Sequence, residues 1–420
     1  MQRVLQIGWQ RQASEALRSL GCEVDVVVNH RQARRVFPDG QYPDDVTYCG
    51  DYVHVEELLS ALGRRLARGG SYDRITSFSE MGLLPAAMVS RALGAAGPEL
   101  ELVLRMRDKA LQKECVRHGG VPCADFTVLE NLFAPVAVPE EMLPAVLKPV
   151  AGASARNTYR ISDARELESV RADLGRRGMD QRTFLLERFE AGAEYHFDGW
   201  LEEGELSFCS LGKYGSNLLN VRYGAVACSR SVDLVPGSPF AESALGFLRA
   251  ALRALGYDHG FFHLEAFLPG DGTWVFSECA MRAGGAGIPM LLEWRHGIPA
   301  FRVAAELALG RPVSWREPAQ APAPGQACGF VLLPAPAGTL RRLPPLRDLQ
   351  RLPGVAEARY TASPGDRLPP STTANNVGVG LVVLAAATAE TYDAHLQGLL
   401  RWFGERVEVA RAGEGREAGS

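Results

Sequence analysis

The stretch Phe261–Gly285, FFHLEAFLPGDGTWVFSECAMRAGG, limits the fold more than any other part of the chain. Phe261–Leu268 is aromatic and apolar, Pro269-Gly270-Asp271-Gly272 is a strong turn signal, and Thr273–Cys279 returns as a second run. This order predicts an antiparallel hairpin. Pairing Leu268 with Thr273 sets Glu265 opposite Phe276 and His263 opposite Glu278. Glu265 and Glu278 then share one side of the sheet on a diagonal, where backbones lie roughly 7–8 Å apart and long side chains meet. Two carboxylates so placed suit one or two Mg²⁺ ions, which take oxygen ligands and keep positions open for phosphate. Arg282 and Gly284-Gly285 follow directly. They offer a guanidinium for a phosphate or acyl phosphate and backbone that can approach it closely. Read alone, the same residues also fit an amphipathic hairpin with solvated glutamates, so the upstream sequence has to separate the two.

The chain has 420 residues, enough for two or three domains with ample core. Charged residues make up 22% and the net charge is −4, which argues against a nucleic-acid partner and confines any phosphate site to a local patch. No apolar run is long enough to span a bilayer, and MQRVLQIGWQ carries no signal-peptide core. Eight cysteines are scattered without a C-x-x-C pair, the pattern of reduced core thiols in a cytoplasmic protein.

The opening reads β-α-β: Arg3–Gly8, a helix over Gln12–Leu20, and the valine strand Glu23–Val28, which predicts a small parallel sheet. Tyr72–Phe78 is a further strand with Ser79-Glu80 at its carboxyl end, where open α/β sheets place ligands. Glu80 contacts a substrate there or caps the helix Gly82–Leu93, and capping is the simpler reading. Arg107–His118 reads as one charged helix. Phe126–Leu129 and Pro144–Pro149 are strands, the second ending in Lys148, either a phosphate ligand or a lysine that snorkels to solvent. Ala151–Asn157, AGASARN, is small and polar and exposes backbone N–H groups as a phosphate loop or an ordinary turn does.

Thr183–Phe189 is a strand, Glu190–Glu194 a turn, and Tyr195–Leu201 and Leu206–Leu211 flank Glu203-Gly204. Lys213–Arg222 is expected to be mobile. Ser238-Pro239 opens a helix that Gly256 closes, with Leu245, Leu248, Leu252 and Leu255 as its core stripe. Leu291–Leu309 is helical, and Pro318–Gly325 is a Pro/Ala linker. Strands Ala327–Leu333, Val355–Thr361 and Val377–Leu384 precede the helix Ala389–Phe403, and Arg411–Ser420 is expected to be disordered.

In order and spacing these pieces resemble the ATP-grasp superfamily of carboxylate–amine ligases, most strongly from Arg107 to Gly287. The resemblance implies an α/β and α+β multidomain chain. An N-terminal parallel α/β domain would span 1–105, a two-lobe ATP-grasp domain 106–315, a linker 316–326, a C-terminal α+β closing lobe 327–410 and a tail 411–420. It implies that Lys109 and Lys148 contact nucleotide and that Ser154 lies in the phosphate-covering loop. E-R-F-E-A-G-A-E matches the spacing of the adenine hinge and the ribose carboxylate. That makes Glu187, Arg188, Phe189 and Glu190 the hinge and Glu194 the ribose ligand. Lys213 falls at a further phosphate lysine, Glu265 and Glu278 at the metal carboxylates, and Arg282 beside the acyl phosphate.

Two departures stand out. Glu278-Cys279-Ala280 has alanine where the family often has a metal-binding asparagine, so one ligand is missing or replaced by water. Ser154, Ala155 and Asn157 replace the usual glycine run of the loop.

The implied cofactors are ATP and Mg²⁺, as one ion or two, with Mn²⁺ as a substitute. The implied reaction activates a small-molecule carboxylate as an acyl phosphate and joins it to an amine, as in amino-acid and peptide ligases of specialised metabolism. Two alternatives stay open: another ATP-grasp chemistry, carboxylating or phosphorylating a small molecule, and a non-catalytic ATP-binding module. No membrane partner is expected, and a homodimer is implied by the resemblance alone. His196, His259 and His263 are general bases by type only, and Arg222 is a candidate for a substrate carboxylate.

Overall fold

The computed structural model describes residues 1–67, 70–134, 138–316, 325–370, 373–374 and 377–410. The tail 411–420 and most of the linker 316–326 lie outside the described residues.

The opening residues alternate between two buried faces. Val4, Val24, Val26 and Val28 pack on one side of the sheet, and Leu5, Ile7 and Val27 on the other. A strand apolar on both faces belongs in a covered parallel sheet. Gln2–Ile7 pairs in parallel with Cys22–Val28 and with Arg74–Thr76, and Val46–Tyr48 forms the far edge. Ser79 and Glu80 follow the strand Arg74–Thr76, at the sheet's carboxyl end.

The expected helix Arg107–His118 is found as Lys109–His118, and Arg107 instead ends a separate helix, Leu100–Arg107. Asp108, at φ −95° and ψ 113°, breaks the run, and its carboxylate accepts from the N–H groups of Ala110 (2.8 Å) and Leu111 (3.1 Å). The break re-aims the second helix so that Lys109 and Lys113, one turn apart, face the same way. Leu291–Leu309 likewise splits into Ile288–His296 and Ala300–Ala308, with Gly297 at φ +61° ending the first.

Two antiparallel sheets form the middle of the molecule. The smaller runs Phe126–Leu129, Phe184–Arg188, Ala145–Pro149, Tyr159–Ile161, with Leu167 and Leu174 of the helix Ala164–Arg176 buried against it. The larger has eight strands, in the order Val275–Ala280, Gly260–Leu268, Ala193–Glu202, Glu205–Tyr214, Cys228–Val232, Ala327–Leu333, Gly380–Ala386, Val355–Tyr360. Its last three strands, from the C-terminal region, continue the hydrogen-bonded sheet through pairing of Cys228–Val232 with Ala327–Leu333.

One face of the large sheet is apolar. Tyr195, Phe197 and Leu264 pack under Phe247, Leu248 and Leu252 of the helix Pro239–Ala254, whose first turn Ser238 caps through Ala241 N–H. The opposite face carries His196, Asp198, His263 and Glu265, as strand alternation requires. Lys213–Arg222, expected to be mobile, consists of the end of the strand Glu205–Tyr214 and most of a 3-10 turn over Leu218–Tyr223. All eight cysteines are free. No helix among the described residues is long and apolar enough to cross a membrane.

Asp108 therefore ties sequence to site placement. Asp108→Ala should cost about 1 kcal/mol of stability, the usual loss for an N-cap, whereas Asp108→Asn, which keeps an acceptor, should cost much less. Urea unfolding of the two variants against the parent checks this, and equal midpoints for all three proteins would contradict it.

Candidate active site

A cleft lies between the two antiparallel sheets and takes its walls from every part of the chain. The hairpin supplies its floor. The expected register is off by two residues: Glu265 stands directly opposite Glu278, and His263 opposite Ala280. Ser277 is the extra residue of a bulge that shifts the pairing between Glu265 and Ala266. The two carboxylates are therefore nearer neighbours than on a diagonal.

Their charge is matched from different elements. Lys109 Nζ is 2.9 Å from Glu278 Oε2. Burial alone would raise the Glu278 pKa, but Lys109 and then Lys148 more than offset it and hold it down at about 2. Tyr214 donates its hydroxyl to Glu265 Oε1 at 2.9 Å, and His263 Nε2 lies 3.3 Å from the same oxygen. Glu265 Oε2 and Glu278 Oε1 make no hydrogen bond among the described residues. Two carboxylates side by side, each with an oxygen left over in a cleft lined by cations, fit a hard divalent cation.

The small sheet brings Lys148 and Glu187 to the same cleft. Glu187 is bracketed by two ammonium groups, Lys148 at 2.6 Å and Lys113 at 2.9 Å. Burial pushes the Glu187 carboxyl up, and the two lysines outweigh it and hold it below its ordinary range. Burial likewise would lower Lys148, but Glu187, Glu278 and Glu265 raise it above its usual value. Lys113, only 1% exposed, was not singled out in the sequence because a helical lysine reads as solvated until its neighbours are known.

Glu187, Arg188, Phe189 and Glu190, expected as the hinge, line the cleft, but two of their N–H groups are engaged: Arg188 donates to Asp125 O and Phe189 to Pro144 O, both at 2.8 Å. Glu190 N–H has no backbone partner among the described bonds. Glu194 Oε2 accepts from Leu218 N–H at 2.6 Å. Burial, and then the charge of Glu265, push the Glu194 carboxyl up to about 8.

The loop Ala151–Asn157 covers one side of the cleft. Ser154, Ala155 and Asn157 adopt φ of 60°, 50° and 55° without a glycine among them. Left-handed backbone at such residues costs of order 1 kcal/mol or more each.

Two expectations are corrected. Glu80 does not cap the helix Leu83–Leu93. Its buried carboxylate accepts from Arg107 (2.5 Å) and from Arg282 Nε (2.8 Å) and so fixes both guanidiniums at the cleft wall. Arg282 and then Arg107 hold Glu80 below its ordinary range although burial opposes them. Lys213 is not in the cleft. Strand alternation sends it to the apolar face, where its ammonium lies 5.7 Å from the ring centroid of Tyr195. Arg222 lies over the Tyr159 ring at 4.3 Å, linking the 3-10 turn to the small sheet. His259 sits 3.4 Å from Leu307 O, away from the cleft residues. His263 is held between Asp198 and Glu265, and Asp198 outweighs its burial and raises it to about 10, the wrong direction for a general base at neutral pH.

Residues 331–401 match the family model for the L-amino acid ligase C-terminal domain 2. The chain is 26% identical over 327 residues to the L-arginine-specific L-amino acid ligase of Bacillus subtilis, covering 77% of each protein. In structure it is similar to the L-amino acid ligase of Bacillus licheniformis, with TM-score 0.75 and 18% identity over 98% of this chain and 99% of that one. It is also similar to the carboxyaminoimidazole ribonucleotide synthase of Aspergillus clavatus in complex with ATP, with TM-score 0.69 and 18% identity over 95% and 98%. The two structural likenesses cover nearly the whole chain, both sheets that flank the cleft included.

Glu194 yields a signed pH prediction. Its folded pKa, about 8, lies above the unfolded carboxyl value of about 4.3. The stability it contributes is therefore complete at low pH and is lost as pH rises between those values. Without nucleotide or metal, the urea midpoint should fall between pH 5 and pH 8, and Glu194→Gln should make that fall smaller. An equal fall in both proteins would contradict the assignment.

Proposed function

We propose, from the premise that this chain is an ATP-grasp protein with an L-amino acid ligase C-terminal domain, that it is an ATP-dependent ligase joining an L-amino acid through its carboxylate to the amine of a second substrate. The observation that carries the reading is the pair Glu265–Glu278, directly opposed in a cleft that Lys109 and Lys148 enter from two other parts of the chain and Arg282 from just beyond the hairpin.

A carboxylate resists acyl transfer because its leaving group is oxide. Attack by its oxygen on the γ-phosphorus of ATP releases ADP and leaves an acyl phosphate, which the amine then displaces as inorganic phosphate with loss of a proton. Such phosphoryl transfer depends on placing the reactants in line and neutralising charge on the transferred group. Glu265 and Glu278 would hold Mg²⁺, which when bound supplies positive charge to the β- and γ-phosphate oxygens. Lys148, kept charged by Glu187, and Lys109 add fixed positive charge toward the same phosphates. Lys113 serves the site by neutralising the other oxygen of Glu187.

In this reading Arg282, held by Glu80, receives the acyl phosphate or the substrate carboxylate. Glu190 N–H is the hinge donor left for the adenine edge, and Glu194 receives the ribose hydroxyls in place of Leu218 N–H. The loop Ala151–Asn157 covers the phosphates and keeps water from the acyl phosphate. Its strained backbone suits a segment that rearranges when phosphate binds. The charge that Lys213 was expected to give comes from Lys109 and Lys148.

The test is phosphate release from Mg-ATP with L-amino acids singly and in pairs, with mass spectrometry of each active mixture. A product of summed mass less water, formed with stoichiometric ADP and phosphate, is expected. Phosphate release that yields a carboxylated or phosphorylated single substrate instead would overturn the ligase reading. Glu278→Gln should lower turnover by about 100-fold or more, the scale for removing a charge-stabilising group from such a site, with the fold intact by circular dichroism. Full activity in that variant would remove Glu278 from the metal site.

A further inference from the structure

Below Glu265 lies a buried polar chain that the proposed reaction does not use. It crosses four neighbouring strands on the cleft side of the large sheet. Ser229 donates to Lys213 O at 3.1 Å, and His196 Nε2 lies 2.7 Å from Ser229 Oγ. His196 Nδ1 is 2.5 Å from Asp198 Oδ2, and His263 Nδ1 is 2.9 Å from Asp198 Oδ1. His263 Nε2 and the Tyr214 hydroxyl then both meet Glu265 Oε1. Cross-strand pairing fixes the order, with His263 opposite Asp198 and Glu265 opposite His196.

We propose that Asp198 is a positioning residue for Glu265: through His263, and together with Tyr214, it engages Oε1 so that Glu265 presents Oε2 alone to the metal ion. This rests on the reading of Glu265 as a metal ligand.

Three observations carry it. Both donors converge on one oxygen of Glu265, which fixes the rotation of the carboxylate. Asp198, 1% exposed, uses each of its oxygens on one imidazole, so the tilt of the His263 ring is fixed as well. The backbone also makes room for the chain. A Cβ on Gly284 would stand 2.4 Å from Asp198 Oδ1, and one on Gly212 would stand 2.2 Å from His196 Nε2. Hydrogen-bonded partners behind a ligating carboxylate or histidine commonly set its orientation and are worth about 10–100-fold in metal affinity.

His196, Asp198 and His263 have ligand atoms within 4.8 Å of one another, the donor set of a metal site as well as of a hydrogen-bonded chain. The distances favour hydrogen bonds. Around a tetrahedral ion with bonds of about 2.1 Å, donor atoms stand about 3.4 Å apart. Here the imidazole nitrogens approach the carboxylate oxygens to 2.5 and 2.9 Å.

The experiment measures Mn²⁺ binding to the full chain by electron paramagnetic resonance, with a non-hydrolysable ATP analogue present, so that turnover is not the readout. Asp198→Asn should weaken Mn²⁺ by about 10-fold or more, with metal-free nucleotide affinity unchanged. In steady state it should raise the Mg²⁺ concentration for half-maximal rate and leave the rate at saturating Mg²⁺ close to the parent's. Tyr214→Phe, which keeps the Asp198–His263 pair, should weaken Mn²⁺ in the same direction by a smaller factor and serves where Asp198→Asn fails to fold. Unchanged Mn²⁺ affinity in the folded variants overturns the proposal. So does a stoichiometric metal in the purified protein that Asp198→Asn loses, since the cluster would then be a metal site itself. Glu265→Gln separates the two levels: if it too leaves Mn²⁺ affinity unchanged, the metal-carboxylate reading has failed, not the positioning role alone.

Discussion

Two like charges set side by side on a hairpin are the constraint around which the rest of the chain is arranged. Direct pairing of Glu265 with Glu278 puts the carboxylates in one cross-strand pair, an arrangement that repels. Burial of Glu265 increases the cost, because water screens the pair only from the half-exposed Glu278 side. The chain answers with two cations brought from elsewhere, Lys109 from the start of a helix and Lys148 from the small sheet, and with His263 from the hairpin itself. Each is far from the hairpin in sequence or on its neighbouring strand position, so the charge balance of the site is also a set of ties between structural units. The break at Asp108 belongs to the same arrangement, since an unbroken helix would carry Lys109 and Lys113 in another direction.

The bridge Lys113–Glu187–Lys148 has a second consequence. It joins a helix packed on the large sheet to two strands of the small one, through a buried carboxylate between two ammonium groups. Three charged groups buried together leave a net positive charge, and such a group is stable only where geometry and further partners compensate for lost hydration. Part of that compensation comes from the cleft itself, since Glu278 and Glu265 act on Lys148 together with Glu187 and favour its charged form.

The hairpin, the parallel N-terminal sheet and the helix Pro239–Ala254 were legible because each announces itself locally, by apolar runs, turn residues and caps. Glu265 and Glu278 were legible as a pair because the expected register and the observed one differ by an even number of residues at this end, which keeps both acids on one side; the bulge at Ser277 is what preserves that parity. The register itself was not, because the bulge at Ser277 leaves no trace in residue type. Lys213 was misplaced by spacing alone. Counting alternation from Tyr195, its cross-strand partner, sends it to the apolar face, and that partner is known only once the sheet is formed. Glu80 and Lys113 failed differently. Their partners, Arg282 and Glu187, lie 202 and 74 residues away, so no local pattern carries them. Long-range ion pairs are the part of a site that sequence reading loses first.

Ala280 stands where the resemblance implies an asparagine, so the departure removes a neutral oxygen ligand and no charge. An alanine in that place removes a polar side chain beside the paired carboxylates. The residue directly across from it is His263, whose ring is held in the cationic form between Asp198 and Glu265. A fixed imidazolium offers positive charge but no lone pair, so it balances the acids without adding a metal ligand. Part of the neutralisation of the two acids is thereby built into the sheet. That cation depends on Asp198, for which Gly284 leaves space, and Asp198 is held in turn by His196, for which Gly212 leaves space.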